Sequence, residues 1–275
     1  MEQLDPVVDT VPGDAVLADV RWYLDGRRGR DAYEAGHLPH AVFVDLEEVL
    51  AARDRPATEG RHPLPDPTEF AVALGALGIG DDTPVVAYDD TGGMTAGRLV
   101  VMLRMLGHPA AVLDGGLAAH AGGGVETGPG PTLGRRRFTP RPWPTDRLAD
   151  TGQVAAVAAS PDGRAIDARS YERFTGAVTQ VDPRPGHIPG ARSAPWSDVI
   201  DPDTGQFRPP HELFGYYRAL GIDEQTDVVA YCGSGVSACV NVLAMERAGF
   251  APPRLYVASF SGWSADPERP TELGG

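Results

Sequence analysis

The chain repeats itself. Leu77-Gly78-Ile79-Gly80-Asp81-Asp82-Thr83-Pro84-Val85-Val86-Ala87-Tyr88-Asp89 returns as Leu220-Gly221-Ile222-Asp223-Glu224-Gln225-Thr226-Asp227-Val228-Val229-Ala230-Tyr231-Cys232. Two shorter pairs follow in the same order. Leu17-Ala18-Asp19-Val20-Arg21 matches Ala165-Ile166-Asp167-Ala168-Arg169, and Gly36-His37-Leu38-Pro39-His40-Ala41 matches Gly186-His187-Ile188-Pro189-Gly190-Ala191. Self-similarity over roughly half a chain means two copies of one domain. At 275 residues, each copy has enough chain to bury a core of its own. The expected division is residues 1–124, a linker at 125–150, and residues 151–275. Gly122 to Asp150 is rich in Gly, Pro and Arg and reads as a linker crossing a domain surface.

Within each copy, short apolar runs alternate with helical patterns. Ala15 to Asp19, Val85 to Tyr88 and Ala110 to Leu113 suit buried parallel strands, as do Ala165 to Asp167, Val228 to Tyr231 and Leu255 to Val257. Asp66-Pro67-Thr68-Glu69 starts a helix, with an acid at the cap, Pro in the first turn and Glu three residues after the cap. Further helices are expected from Thr95 to Leu106, near Glu212 to Leu220, and from Ser237 to Ala248, with Gly107 and Gly249 closing the first and last. The fold class is α/β: two tandem domains, each a mainly parallel sheet flanked by helices.

The copies differ at one chemically decisive position, where Asp89 in the first answers to Cys232 in the second. The run Val228 to Tyr231 ends in Cys232; Gly233-Ser234-Gly235-Val236-Ser237 turns the chain and a helix follows. Loop amides and a helix N-terminus favour an anion, which suits a nucleophilic thiolate. Gly233 and Gly235 let the backbone aim several N–H groups at one point, and Ser234 and Ser237 add hydroxyls. An inert buried thiol is the plain alternative for Cys232. For Cys239, on the helix, that structural reading is the default and a resolving thiol the minority view. His37 and His187 recur in both copies, so they are expected to hold the fold rather than to do chemistry.

Lys+Arg of 24 against Asp+Glu of 38 gives a net charge of −14, which argues against nucleic acid or an anionic membrane as partner. An anionic substrate then needs a local positive pocket. Two cysteines make no disulfide framework, and a working thiol suits a reducing compartment, so the cytoplasm is expected. No apolar run approaches the ~20 residues of a membrane helix. Met1-Glu2-Gln3-Leu4-Asp5 lacks the basic start and apolar core of a signal peptide. The histidines are dispersed with no Cys/His ligand spacing, so neither a metal nor an external cofactor is expected.

Cys232-Gly233-Ser234-Gly235-Val236-Ser237-Ala238, the two Gly-His-(Leu/Ile)-Pro motifs, Asp167-Ala168-Arg169 and Leu113-Asp114-Gly115-Gly116 together resemble the tandem-domain rhodanese family of sulfurtransferases, from about Ala15 to Trp263. The resemblance implies a catalytically silent first domain and an active second one. Cys232 would take a sulfane sulfur from a small donor, become a persulfide, and pass the sulfur to cyanide, a thiol, or a protein thiol of the thioredoxin-like kind. A cradle of neutral amides, Gly233, Gly235, Val236 and Ser237 among them, would hold the persulfide anion without a metal.

The donor is read from the loop, which has Gly233 after the cysteine and no Lys or Arg. It is similar to that of 3-mercaptopyruvate sulfurtransferases, so 3-mercaptopyruvate is slightly favoured, with thiosulfate as the alternative. In that branch the hydroxyl two residues after the cysteine, here Ser234, helps protonate the leaving enolate, relayed by a His and an Asp. His62-Pro63-Leu64-Pro65 supplies His62, and Val42-Phe43-Val44-Asp45 supplies Asp45. The plain readings are a loop histidine and a helix-capping acid. A substrate carboxylate calls for arginine forks, and the resemblance points to Arg173, in Glu172-Arg173-Phe174, and Arg184, in Asp182-Pro183-Arg184-Pro185. The plain reading of each is a solvated surface arginine, which has less support for Arg173 than for Arg184. Arg169 reads as a structural partner of Asp167. Tyr256-Val257-Ala258-Ser259-Phe260-Ser261-Gly262-Trp263 departs from the family's Gly-Ser-Trp-Ser-Glu-Trp at Ala258, Phe260 and Gly262. A cysteine phosphatase would need an arginine six residues after Cys232, where Ala238 stands. A persulfide carrier acting with protein partners is the remaining alternative.

Overall fold

The computed structural model describes residues 4–275. It forms two compact units. The first takes the chain up to Ala52, Leu64–Trp143 and Asp201–Phe207; the second takes Arg53–Pro63, Pro144–Ile200 and Arg208–Gly275. Each unit thus holds a short piece from the other half of the sequence.

Among the described residues, the first unit builds a sheet from β1 (Val7–Val8), β2 (Val16–Asp19), β3 (Val42–Phe43), β4 (Val85–Tyr88) and β5 (Ala110–Leu113). Their order is β1-β5-β4-β2-β3 and every pairing is parallel. The second unit uses β6 (Gly163–Asp167), β7 (Arg192–Ser193), β8 (Asp227–Tyr231) and β9 (Arg254–Leu255) in the order β7-β6-β8-β9, again parallel. A single parallel bridge from Leu148 to Leu255 stands where β1 stands in the first unit. Asp19 pairs with Tyr88 and Asp167 with Tyr231, so the repeat holds at the level of register. The central strand β4 is buried throughout, as expected of a parallel strand covered on both faces.

The main helices run Pro67–Ala76, Ala96–Met105, Pro210–Ala219 and Ala238–Arg247, close to the expected spans. The Asp66 carboxylate accepts from the amides of Thr68 and Glu69 at 2.7 and 3.3 Å, which accounts for the first start. Gly107 and Gly249, at φ of +73° and +89°, close the second and last. The strand expected through Val257 stops at Leu255, because the chain turns into a helix at Ser259–Ala265. The two-residue strands β1, β3 and β7 are too short to carry a periodic signal.

One device recurs in both units. At the end of β2, Arg21 grips Asp19 and donates to the Gly36 carbonyl at 2.7 Å; at the end of β6, Arg169 grips Asp167 and donates to the Gly186 carbonyl at 2.8 Å. Each pair ties a strand end to the Gly-His turn. In those turns His37 stacks on Tyr33 at 3.9 Å and bonds its carbonyl, while His187 stacks on Phe174 at 3.7 Å and does the same. The shared histidines therefore serve packing. Residues 124–143 are irregular yet fixed to the first unit. Glu126 pairs with His37, Arg136 donates to the Gly75 carbonyl, and the Trp143 indole donates to the Pro65 carbonyl.

The loop after β4 carries Asp89, which is fully buried. Its carboxylate accepts from the amides of Thr91, Gly93, Thr95 and Ala96 at 2.8–2.9 Å and from the Thr95 hydroxyl at 3.0 Å. The loop amides of the first copy thus converge on an internal anion. Asp89→Ala should strip these buried donors of their acceptor and lower unfolding free energy in urea by at least about 2 kcal/mol, given a cost of ~1–3 kcal/mol per unsatisfied buried group. A loss below about 0.5 kcal/mol, the size typical of surface changes, would show that the cradle contributes nothing to stability.

Candidate active site

The corresponding loop of the second unit, residues 232–237, joins β8 to the helix Ala238–Arg247. Cys232 is 1% exposed, and its Sγ accepts from the amides of Gly235 at 3.1 Å and Ser234 at 3.5 Å. Gly235 lies at φ +75°, the left-handed turn that aims these amides inward. Among the described residues no protein group accepts from the amides of Val236, Ser237 and Ala238. An anion extending beyond Sγ would find donors there. Gly233 is not left-handed, and the reason for glycine there is different. A Cβ on it would lie 2.6 Å from Arg173 Nη2 and 2.7 Å from Arg61 Nη2.

The backbone of Cys232 is braced by Ser259–Ala265. The Cys232 amide donates to Ser259 Oγ at 3.1 Å, and the Cys232 and Gly233 carbonyls accept from the amides of Phe260 and Ser261 at 2.9 and 3.0 Å. Ser259 sits at φ +53°, costly for a residue with a side chain, and its hydroxyl also donates to the Tyr256 carbonyl. Such strain is concentrated where a site fixes its geometry. Ser259 was passed over in the sequence, since nothing local marks a left-handed serine.

His62 and Arg61 reach this site because Arg53–Pro63 belongs to the second unit. His62 Nδ1 lies 2.9 Å from Ser234 Oγ, and both residues are buried. The segment is locked against Ala258: a Cβ on Gly60 would collide with the Ala258 carbonyl. A Cβ on Gly262 would meet Ala258 Cβ and the Thr58 carbonyl oxygen at 2.7 Å. That close approach explains the small residues at 258 and 262, where the sequence departs from the pattern it resembles.

Arg173 donates to Asp182 Oδ2 at 2.6 Å, Arg169 donates to the same oxygen at 3.0 Å, and Arg61 donates to Oδ1 at 3.1 Å and to the Val181 carbonyl at 3.2 Å. Burial pushes the Asp182 carboxyl up, but the charges of Arg173 and Arg169 and the bonds from Arg173 and Arg61 outweigh it, and the net shift is downward. Arg169 loses by burial and gains more from Asp167, so its pKa is raised; its guanidinium lies 3.9 Å over the Phe260 ring. Arg184 is engaged elsewhere, donating to the carbonyls of Ser264 and Asp266 at 3.0 and 2.7 Å. Asp45 is in the first unit, where its carboxylate caps the short helix Leu46–Val49 through the amides of Glu47 and Glu48. Thus Cys232, Ser234 and His62 come together with the loop glycines, and Arg173 stands over Gly233. Arg61 and Asp182 were missed as site residues because their significance is purely spatial. Cys239 donates to the Gly235 carbonyl at 3.4 Å from the base of the loop.

Among the described residues no helix is long and apolar enough to cross a membrane. The pattern of the rhodanese-like domain matches residues 11–121 and again 150–266. A Pseudomonas aeruginosa protein named as a 3-mercaptopyruvate sulfurtransferase is 42% identical over 95% of this chain and 93% of its own. A Mycobacterium tuberculosis protein named as a thiosulfate sulfurtransferase is 41% identical over 95% of this chain and 92% of its own. Among solved structures, the Escherichia coli 3-mercaptopyruvate enzyme superposes with a TM-score of 0.79 at 29% identity, covering 90% of this chain and 93% of that one.

Asp182 gives a prediction in pH. Its folded-state pKa lies below the ordinary 3.8, so its contribution to stability is complete above that value and is lost as pH falls through the lower one. Asp182→Asn should therefore lose less stability than the wild type on acidification from about pH 5 to about pH 2, read by urea denaturation. Identical acid limbs would show that Asp182 is not stabilised by its arginines.

Proposed function

The chain belongs to the rhodanese-like domain family and is a sulfurtransferase; from that premise we propose that it works through a Cys232 persulfide, with 3-mercaptopyruvate favoured over thiosulfate as donor. The observation that carries the reading is the contrast between the two loops. In the first copy, Asp89 takes up the amides around it. In the second, two amides reach Cys232 Sγ and the next three, at Val236, Ser237 and Ala238, face no protein acceptor among the described residues. A second sulfur carried on Sγ extends the anion toward those donors.

In the first half-reaction the Cys232 thiolate attacks the sulfur of 3-mercaptopyruvate. The S–S bond forms, the C–S bond breaks, and its electron pair passes to carbon as the enolate of pyruvate. The enolate takes a proton to give pyruvate, and the thiol proton of the donor balances the account, leaving an anionic persulfide. Ser234, hydrogen-bonded to His62, is the group in this loop built to move that proton. The Asp45 carboxylate completes the relay by resemblance alone. In the second half-reaction cyanide attacks the outer sulfur, thiocyanate leaves, and the Cys232 thiolate returns. Thiols and protein thiols of the thioredoxin-like kind take the sulfur by the same displacement. Thiosulfate needs no proton, because sulfite leaves with the electron pair. It remains the second reading because a relative at 41% identity carries that name. Substrate carboxylate is held by Arg173. The working cysteine must stay reduced between turnovers, which suits the cytoplasm.

Steady-state transfer to cyanide, run with both donors, tests this. Cys232→Ser should abolish transfer from each and remove the added sulfur mass that the donor leaves on the wild-type protein. Ser234→Ala and His62→Ala should cut kcat for 3-mercaptopyruvate by about a hundredfold, the scale of general acid–base catalysis, while transfer from thiosulfate changes little. Equal losses with both donors would sink the relay. Turnover by Cys232→Ser would sink the persulfide. A wild type that acquires sulfur but passes it to neither cyanide nor small thiols would be a carrier.

A further inference from the structure

The two copies set the same backbone turn against their loops and fill it with different residues. Gly116 and Ser259 both lie at φ +53°. The residue after each closes on its loop: the Leu117 amide donates to the Asp89 carbonyl and the Phe260 amide to the Cys232 carbonyl, both at 2.9 Å. Glycine is the residue that left-handed backbone favours, so the serine is the costly choice. We propose that Ser259 is a positioning residue for Cys232, its hydroxyl fixing the backbone that aims Sγ into the amide cradle. This rests on Cys232 being the working thiol and says what holds that thiol in place.

The Ser259 hydroxyl is committed on both sides. Its proton goes to the Tyr256 carbonyl at 2.9 Å, its oxygen accepts from the Cys232 amide at 3.1 Å, and the residue is fully buried. That amide belongs to the peptide plane between Tyr231 and Cys232. The other end of the plane, the Tyr231 carbonyl, accepts from the Ala168 amide at 2.8 Å. The plane after Cys232 is held through its carbonyl by the Phe260 amide. A residue has only two soft backbone dihedrals, the rotations between its flanking peptide planes. With both planes tied, the direction of the Cys232 Cα–Cβ bond is set.

The need for this differs between the copies. The first ties the corresponding carbonyls in the same way, with Val20 donating to Tyr88 at 2.9 Å and Leu117 to Asp89. What it lacks is the hydroxyl, since position 116 is glycine. The Asp89 carboxylate is located instead by its own five bonds from the loop, none longer than 3.0 Å. Cys232 Sγ accepts two, at 3.1 and 3.5 Å, and sulfur is a weak acceptor. A side chain so loosely held must be aimed from its backbone. Strain kept beside a reactive group for that purpose is the pattern of functional sites.

Two variants of the full chain separate strain from positioning. Ser259→Gly removes the hydroxyl and relieves the left-handed backbone; Ser259→Ala removes the hydroxyl and keeps the strain. Urea denaturation should therefore rank the glycine variant above the alanine variant. Reactivity should not follow that rank. Alkylation of Cys232 by iodoacetamide forms an S–C bond, breaks the C–I bond and releases iodide with its electron pair; it is read by mass on the peptide that carries Cys232. Its rate should fall about tenfold in both variants, the scale of one buried hydrogen bond. In steady state both variants should lower kcat about tenfold with either donor and leave KM unchanged. An alkylation rate in Ser259→Gly that matches or exceeds the wild type overturns the assignment, and a loss confined to Ser259→Ala makes Ser259 a stability residue alone. A raised KM with kcat kept also overturns it. If the wild type resists iodoacetamide, the split between kcat and KM decides. If the wild type turns over neither donor but both variants slow alkylation, the donor reading fails and the positioning role stands.

Discussion

The structure depends on a loop of backbone amides that demands something to bond. Both copies end a buried strand, turn sharply, and begin a buried helix, leaving several N–H groups inside the protein. Unpaired, each would cost about as much as a lost hydrogen bond. The first copy meets the demand with Asp89, whose carboxylate is covalently fixed at the focus of the cradle. The second places a thiol at that position, and a sulfur atom takes only two of the donors. The same backbone device is thus closed by a side chain in one half and left with unmet donors among the described residues in the other. The residue at the focus is Asp89 in one and Cys232 in the other, and the second loop reaches its helix one residue sooner.

Around this loop the chain adds rigidity of a kind that chemistry needs. The Asp167–Arg169 pair clamps the end of β6 to the Gly186 turn, and Arg169 also reaches Asp182 and the face of Phe260. Phe260 in turn donates its amide to the Cys232 carbonyl. The path from the end of β6 to Cys232 is therefore short and made of charge-assisted bonds and packed rings. A pair buried this way is costly to desolvate, and here the return is geometry: both guanidinium planes and the loop backbone are fixed relative to the sulfur.

Much of this was legible in the sequence, because local rules determine it. The repeat gave the tandem α/β plan, apolar runs gave the central strands, and the cysteine at a strand end followed by glycines marked the loop that carries the candidate site. Ser234 beside His62 followed from resemblance and is met by a 2.9 Å contact. What was not legible depends on approach in space. Gly233 is small to admit two guanidinium groups, where the sequence suggested backbone freedom. Arg61 looked like any loop arginine, since its partners lie at Val181, Asp182 and Ser261. Arg184 carried the better motif but bonds carbonyls, and the short strands β1, β3 and β7 hold too few residues for any period to register.

The exchange of Arg53–Pro63 into the second unit has a consequence for how the protein comes into being. The bonds from Arg61 to Ser261 and from His62 to Ser234 join residues 200 and 172 positions apart. Contacts of that range require closure of very long loops and form late. The ribosome releases His62 long before Ser234 and Cys232. The strands of the first copy can pair early, while that eleven-residue tongue waits for a surface that has yet to be made. Refolding is expected to recover secondary structure before thiol reactivity, and simultaneous recovery would show that the tongue docks as early as the sheets. The first half of the chain thus has a temporal role: it carries Arg61 and His62 until the residues they bond exist.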